Sequence, residues 1–378
     1  MILEATLIFY YFHLHLLNFA PLMSHELYMK RCLELAQKGK GNTTPNPMVG
    51  AVLVHNGRII GEGWHHVYGN VHAEVDCLNN VIPEDQHLIA GSTMYVSLEP
   101  CAHTGKTPPC ASRLVKEQIA KVVIANKDPF ELVKGKGIDI LKNAGIDVVT
   151  GVCEQEGFWV NRRFFCMHTQ NRPYIILKWA QTTDGFMAPA DKSRFQITNE
   201  HSKQLLHKWR TEEAAIMVGS NTAINDNPQL TARIWQGKQP LRIALTRSGV
   251  LPDMHQLLDN AAPTWIVNEQ TEKTVNNVRF IKLNFDETLL NNLMSVVHQH
   301  NITSLIVEGG AQLLNSFINN DLWDEARIFT GTVNLGNGLA APLLTNSNIA
   351  FTTYLDRDTL RIVTNRKSKY PYVHGLEL

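Results

Sequence analysis

Residues 93–125 read TMYVSLEP CAHTGKTPPC ASRLVKEQIA KVVIA, and this run decides the fold of the first half of the chain. Short apolar runs at 93–98 and 121–125 predict strands, and 110–118, opening just after a proline, predicts a helix between them. A strand–helix–strand order of this kind belongs to a layered α/β domain. Each end of the central decapeptide is a Pro-Cys pair, Pro100-Cys101 and Pro109-Cys110, with eight residues between the two thiols.

Working upstream, 72–80 reads as a helix, and 48–54 and 58–64 as strands joined through Asn56-Gly57, a strong hairpin signal. Thr44-Pro45-Asn46-Pro47 is a rigid extended turn. Before it, Leu27, Cys32, Leu33 and Ala36 form the apolar stripe of a helix that Ser24 can cap and Gly39 can stop. Downstream, a helix at 137–144, a strand at 147–150 and a helix at 154–168 complete a domain over 24–168. Asn171-Arg172-Pro173 reads as a linker. A second α/β domain over 173–378 has strands near 174–180, 215–218, 241–245, 264–267, 304–307, 326–330 and 361–363. Its helices are expected at 199–213, at 289–300 and after Glu308-Gly309-Gly310.

The bulk numbers agree with two domains. A chain of 378 residues exceeds one ordinary core. A hydrophobic share of 44% and a charged share of 19% describe a globular protein. Thirty-five basic residues balance thirty-five acidic ones, which argues against an extended nucleic-acid track and leaves room for a local phosphate site. Six cysteines are too sparse for a disulfide framework, so a reduced, cytoplasmic setting is expected. Residues 1–23 are rich in Leu, Phe and Tyr, but Glu4, His13 and His15 break the pattern of a signal or a membrane span. They are expected to be a non-native or disordered extension, with Met23 opening the working protein.

The sharpest chemistry lies in His72-Ala73-Glu74 taken with Cys101 and Cys110. One imidazole and two thiolates give Zn²⁺ three protein ligands and leave a fourth position for water, whose pKa the metal lowers to about 7. Glu74 stands beside a ligand without being needed as one, so it can carry the proton of that water. A lone His-x-Glu arises often by chance. Combined with two Pro-Cys pairs at helix starts, it does not.

Pro45-Asn46-Pro47-Met48-Val49-Gly50, His72-Ala73-Glu74 and Glu99-Pro100-Cys101 resemble the cytidine-deaminase superfamily. Within it, the eight-residue spacing of the cysteines, where most relatives have two, resembles the bifunctional deaminase–reductase family of riboflavin biosynthesis. The resemblance covers nearly everything from Ser24 onward. It implies a cytidine-deaminase-like three-layer α/β domain followed by a dihydrofolate-reductase-like α/β domain, using Zn²⁺ and NADPH respectively. It also implies a small pyrimidine ribosyl phosphate as substrate, no nucleic-acid or membrane partner, and a homo-oligomer, dimer or tetramer. By the same resemblance Asn46, His65, His103, Lys106 and Thr107 contact the deaminase substrate.

In the second half, residues 178–185 (KWAQTTDG), 219–222, 226–228 and 230–233 carry the resemblance together with Val307-Glu308-Gly309-Gly310. It puts Ala180, Gln196, Thr222, Asp226, Gly310, Ala311, Gln312, Leu313, Leu314, Asn315 and Ser316 on the cofactor. Arg194, Arg210, Leu230, Arg233 and Glu308 fall on the substrate, with Lys178, Asp226 and Glu308 as the groups able to move protons. Gly-Gly alone is a weak motif, and no Gly-x-Gly-x-x-Gly is present. Two departures stand out: Phe130 replaces an Asn of the family pattern, and Gln196 replaces a Trp, leaving Phe195 or Trp179 as aromatic substitutes. Two other readings predict different sequences. A nucleotide or tRNA deaminase with an unrelated C-terminal module would space its cysteines by two residues, and a relict scaffold would have lost Glu74 or a ligand.

Overall fold

The computed structural model describes residues 25–102, 108–191, 193 and 195–376. They form two compact units, one holding the described residues up to Asn161 together with 373–376, the other those from Arg162 to Tyr372. The calls on residues 1–24 and on His103, Lys106, Thr107 and Arg194 lie outside the described residues.

Unit 1 begins with helix α1 over 25–37. It continues through β1 (Gly50–His55), β2 (Arg58–Trp64), α2 (Ala73–Asn79), β3 (Thr93–Leu98), α3 (Cys110–Lys116), β4 (Lys121–Asn126), α4 (Lys136–Asn143), β5 (Asp147–Thr150) and α5 (Glu154–Val160). The sheet order is β2-β1-β3-β4-β5. β1 is antiparallel to β2 and β3, while β3, β4 and β5 run parallel. Alternation along the strands sorts the core onto two faces. Ala51, Leu53, Met94, Val96, Val122 and Ile124 pack with residues of α2, α3 and α4. Val52, Val54, Tyr95, Val123 and Ala125 pack with Met29, Cys32 and Leu35 of α1. The result is three layers. Asn56 and Gly57 take φ values of 47° and 81°, which makes the β1–β2 hairpin the expected two-residue turn.

Unit 2 starts with α6 (Arg162–Gln170), β6 (Tyr174–Gln181), β7 (Phe186–Pro189), α7 (Glu200–Glu212), β8 (Ala215–Val218), α8 (Ser220–Asp226) and β9 (Leu241–Leu245). Next come β10 (Thr264–Asn268), β11 (Lys273–Val275), β12 (Val278–Lys282), α9 (Leu289–Gln299), β13 (Ser304–Glu308), α10 (Ala311–Asn319) and β14 (Glu325–Thr330). β15 (Gly338–Ala340), β16 (Ser347–Leu355) and β17 (Asp358–Asn365) close the chain. Ten strands make one sheet, in the order β11-β12-β10-β9-β8-β13-β6-β14-β17-β16. Its centre is parallel from β12 to β14, and antiparallel strands finish both edges. Both halves are therefore mixed α/β, as expected.

Several local expectations change. The helix expected at 154–168 is two helices, because the chain breaks at Asn161. There the side chain accepts from the Met48 amide and donates to the Met48 carbonyl, each at 2.8 Å, while the backbone leaves helical geometry as the C-cap of α5 (φ −101°, ψ 20°). Residues 220–226 form a helix where the sequence shows only turn residues, since seven residues with two adjacent apolar side chains, Ala223 and Ile224, carry little periodicity. Strands β7, β11, β12, β15 and β16 have no counterpart in the sequence expectations; β11 and β16 are sheet edges, β7 and β15 form a two-stranded sheet, and such strands bury too little to show a clear apolar pattern.

Candidate active sites

Unit 1 gathers its chemistry where helices α2 and α3 begin. His72 is the extended N-cap residue of α2 (φ −80°, ψ 166°), and Cys110 is the first residue of α3. Cys101 lies three residues beyond the end of β3. The Nδ1 atom of His72 is 3.6 Å from the Cys101 sulfur and 3.4 Å from the Cys110 sulfur, and all three donor atoms lie within 4.8 Å of one another. Donors held about 2.0–2.3 Å from one tetrahedral centre stand roughly 3.5 Å apart, so the cluster fits a Zn²⁺ ion without rearrangement. The Cys110 amide points at the Cys101 sulfur over 3.3 Å. That donor, the Cys110 thiol and His72 favour a thiolate: the Cys110 thiol contributes most to holding Cys101 down to about 4, against its burial.

Glu74 sits in the first turn of α2, only 4% exposed. Burial first, and the Cys101 sulfur second, push its carboxyl up to about 7. A carboxyl poised there can both take and give a proton near neutrality. Asp76 steadies the same turn, accepting from the Trp64 amide at 3.1 Å and pairing with His66 Nε2 at 3.0 Å.

His65, 2% exposed, stands edge-on to His72 with ring centroids 5.3 Å apart. Its Nδ1 lies 3.0 Å from the Val71 carbonyl, which can only accept, so that nitrogen carries the proton. Nε2 then accepts from the Asn46 amide at 3.3 Å. Burial lowers the His65 pKa and keeps the ring neutral. His65 thus stands beside the ligand His72 with Asn46 bonded to it.

A residue whose role escaped the sequence reading is Glu99. Buried at 3% exposure, its carboxylate accepts from the amides of Asp128 (3.2 Å), Gly135 (3.0 Å), Gly137 (3.0 Å) and Ile138 (3.3 Å). Glycine at 137 makes this approach possible, since a Cβ there would sit 2.0 Å from the Pro100 carbonyl oxygen. Glu99 therefore ties the strand end that bears Cys101 to the start of α4. Across the insert, the Ala111 amide donates to the Cys101 carbonyl at 3.2 Å. At the Phe130 departure, Asp128 is occupied with the turn itself, accepting from the Phe130 amide at 2.8 Å.

In unit 2 the parallel register sets Glu308 of β13 beside Lys178 of β6. Arg210 of α7 holds the Glu308 carboxylate with two nitrogens, Nη2 at 2.8 Å and Nε at 3.3 Å. Its Nη1 donates to the Thr231 carbonyl at 3.1 Å. Burial lowers the Lys178 pKa, opposed by Glu308, while Arg210 and then Lys178 hold the buried Glu308 carboxyl low. Arg210 is 8% exposed with its fork taken up by Glu308, whereas Arg233 is exposed. The Arg233 amide donates to His207 Nδ1 at 2.9 Å, and buried Leu230 adopts a left-handed φ of 56° between the two arginine-bearing contacts.

The cofactor-side residues collect in part. A cleft of about 320 Å³ is lined by Thr222, Gly310, Gln312, Leu313 and Ser316 among others. Gly309 and Gly310 have φ values of 96° and 68°, a conformation that favours glycine, and a Cβ on either would stand 3.5 Å from Thr222 Oγ1. Glycines here keep main-chain donors at the start of α10 open to an anionic group. This is a cradle that fits a dinucleotide phosphate. Helical phase divides the rest of the run. Leu314 is fully buried in the unit 2 core, so its side chain faces away from the cleft, and Asn315 is exposed. Trp179, 2% exposed and bonded to Gln181, belongs to the core as well and is no aromatic substitute. Gln196 is exposed, folded onto the Thr198 carbonyl at 3.1 Å. Ser220, Asn221, Leu245 and Phe285 also line the cleft, brought there by sheet order that no local motif encodes.

Comparison with known proteins finds relatives for both halves of the chain. The profile of the cytidine and deoxycytidylate deaminase zinc-binding region matches residues 22–126, and that of the RibD C-terminal domain matches 173–362. The riboflavin biosynthesis protein RibD of Aquifex aeolicus is 42% identical over 320 residues, covering 83% of this chain and 88% of the relative. Its Escherichia coli counterpart is 33% identical over 333 residues, covering 83% and 89%. A solved diaminohydroxyphosphoribosylaminopyrimidine deaminase/5-amino-6-(5-phosphoribosylamino)uracil reductase from Thermotoga maritima superposes with a TM-score of 0.84 at 32% identity, over 91% of this chain and 99% of that one. Acinetobacter baumannii RibD gives 0.83 at 33% identity, over the same shares.

Proposed function

The chain belongs to the bifunctional deaminase–reductase family of riboflavin biosynthesis, and from that premise we propose its substrate and the duties of its residues. The substrate is 2,5-diamino-6-ribosylamino-4(3H)-pyrimidinone 5′-phosphate. Water replaces its ring amino group, releasing ammonia, and the ribosyl group is then reduced to ribityl, giving 5-amino-6-(5-phospho-D-ribitylamino)uracil. The observation that carries this reading is the tetrahedral spacing of His72, Cys101 and Cys110 with the unligated Glu74 two residues from His72.

When bound, Zn²⁺ supplies Lewis acidity and NADPH supplies reducing equivalents. The chain does the rest. Glu74 takes one proton from the attacking water and gives it to the ring nitrogen, then takes a second from the new hydroxyl and gives it to the amino group, which leaves as ammonia. Asn46 and His65 orient the ring, and His103, Lys106 and Thr107 contact the rest of the substrate. In the reductase site Gly310, Thr222 and the exposed positions of α10 hold the dinucleotide, assisted by Ala180, Gln196 and Asp226. Lys178, its charge destabilised by burial, is the proton donor, and Glu308 sets its charge. Arg233 takes the sugar phosphate, joined by Arg194, while Arg210 acts mainly by fixing Glu308 and Thr231.

The functional division follows 24–168 for deamination and 173–378 for reduction. No helix among the described residues is long and apolar enough to cross a membrane. A cytoplasmic homodimer or homotetramer without nucleic-acid partners is the form we expect. Incubating the full chain with the diaminopyrimidine ribosyl phosphate and NADPH tests the reading. Ammonia release and NADPH oxidation are both expected; ammonia without NADPH consumption would remove the reductase assignment.

A further inference from the structure

Arg242 of β9 is 0% exposed, yet it touches none of the residues assigned to substrate or cofactor. Its guanidinium is spent on main chain. Nη1 donates to the carbonyls of Gln229 (3.2 Å) and Gln256 (2.9 Å), and Nη2 to those of Leu257 (3.4 Å) and Ala262 (2.9 Å). Nε donates to Thr264 Oγ1 at 2.9 Å, and Asp259 pairs with Nη2 at 3.0 Å. A buried cation is costly unless its donors are matched, and here every nitrogen is.

The four carbonyls come from two loops, one leading from β9 into β10 and the other leading from α8 into β9. One, at 256–262, is bonded back to the end of α8: His255 Nε2 reaches the Ala223 carbonyl at 2.8 Å, and the Gln256 amide reaches Asn227 Oδ1 at 2.9 Å. The other carries Gln229 directly into Leu230, Thr231 and Arg233. This segment is held at further points by Arg210 on the Thr231 carbonyl, by His207 on the Arg233 amide, and by Gln239 on both polar groups of Ala232 (2.7 and 3.2 Å). Such multiple pinning is what a buried leucine at φ 56° needs, because that conformation survives only where the surroundings over-determine it. Of the described bonds, the one from Arg242 Nη1 at 3.2 Å is what ties residue 229 to the sheet.

We infer that Arg242 is a positioning residue of the reductase, holding segment 229–233 so that Leu230 and Arg233 face the pyrimidine ribosyl phosphate. The inference rests on the substrate-side assignment of those two residues. Arg242→Lys, made in the full chain, keeps the charge but cannot span both loops, because an ammonium on a flexible stem offers three donors from one point. The KM for the ribosyl substrate should rise about 10-fold while kcat and NADPH affinity stay within about twofold, the signature of lost uniform binding. Amide hydrogen exchange over 229–233 should quicken by about 10-fold while exchange over 304–308 stays unchanged. That second readout needs no substrate, so it stands even if the chain reduces a different compound. Should Arg242→Lys fold poorly, Asp259→Asn removes the outer partner of the guanidinium and should raise KM about twofold to threefold at unchanged Tm. Unchanged exchange over 229–233 overturns the inference. So does a loss of kcat, KM and NADPH affinity in step with Tm.

Discussion

The two sites solve the problem of buried charge differently. Around His72, Cys101 and Cys110 the donors converge on a point, at a mutual spacing set for an ion that joins them. In unit 2 the charges already neutralise one another: Glu308 lies between Arg210 and Lys178, with Arg210 spent on it. The first arrangement depends on an added metal and on one free carboxylate. The second depends on register across a sheet, where shifting one strand would separate Lys178 from Glu308. The metal centre should therefore fail abruptly under single substitutions, and the reductase site by degrees.

The sharpest way to break this contrast is Glu74→Gln. Deamination should fall by about 10³-fold or more, with zinc still present by elemental analysis and reduction of supplied uracil intermediate continuing. Loss of reduction as well would show that the sites are not separable. Next, stripping zinc with a chelator, or substituting Cys101→Ala, should abolish deamination while NADPH oxidation on the uracil intermediate stays within about twofold. Glu308→Gln strands the buried Arg210 and should cost about 3 kcal/mol of stability in denaturant melts, with reductase kcat/KM down roughly 100-fold. Gly310→Ala must adopt a φ of 68°, a strain of about 1 kcal/mol in the folded protein that should appear as lost stability in denaturant melts.

The smallest expected effect concerns His207. Burial, then Arg210 and Arg233, push its pKa down to about 4 from the ordinary 6.5. The folded state thus binds fewer protons than the unfolded one between those values, so its contribution is intact above pH 6.5 and declines as pH falls toward 4. Protonation would also cost Nδ1 its bond from the Arg233 amide. Reductase KM should therefore climb a few-fold over that window. His207→Gln, compared over the same pH range, should flatten the climb; parallel profiles would acquit the histidine.

How much of this was legible differs by region for a physical reason. His72, Glu74, Cys101 and Cys110 announce themselves because a metal site can be built from two helix starts and the loops before them, all short-range features. Thr222 and Gly310 are far apart in sequence and meet because β8 lies beside β13, an order fixed by long-range packing. Leu314 fell into the expected cofactor run because a continuous stretch was carried over whole, while a helix can turn only part of its residues toward one cleft. Glu99 showed nothing locally to suggest a carboxylate bound by four amides, three of which come from residues 135–138. α8 hid because its seven residues hold only two apolar side chains, Ala223 and Ile224.

At the base of the cysteine insert, Cys101 and Ala111 are joined main chain to main chain, the Cys110 amide closes on the Cys101 sulfur, and Glu99 braces the incoming strand from behind. These contacts set the positions of the two thiols from outside residues 103–107, so the grip on the ion is fastened by the stem alone.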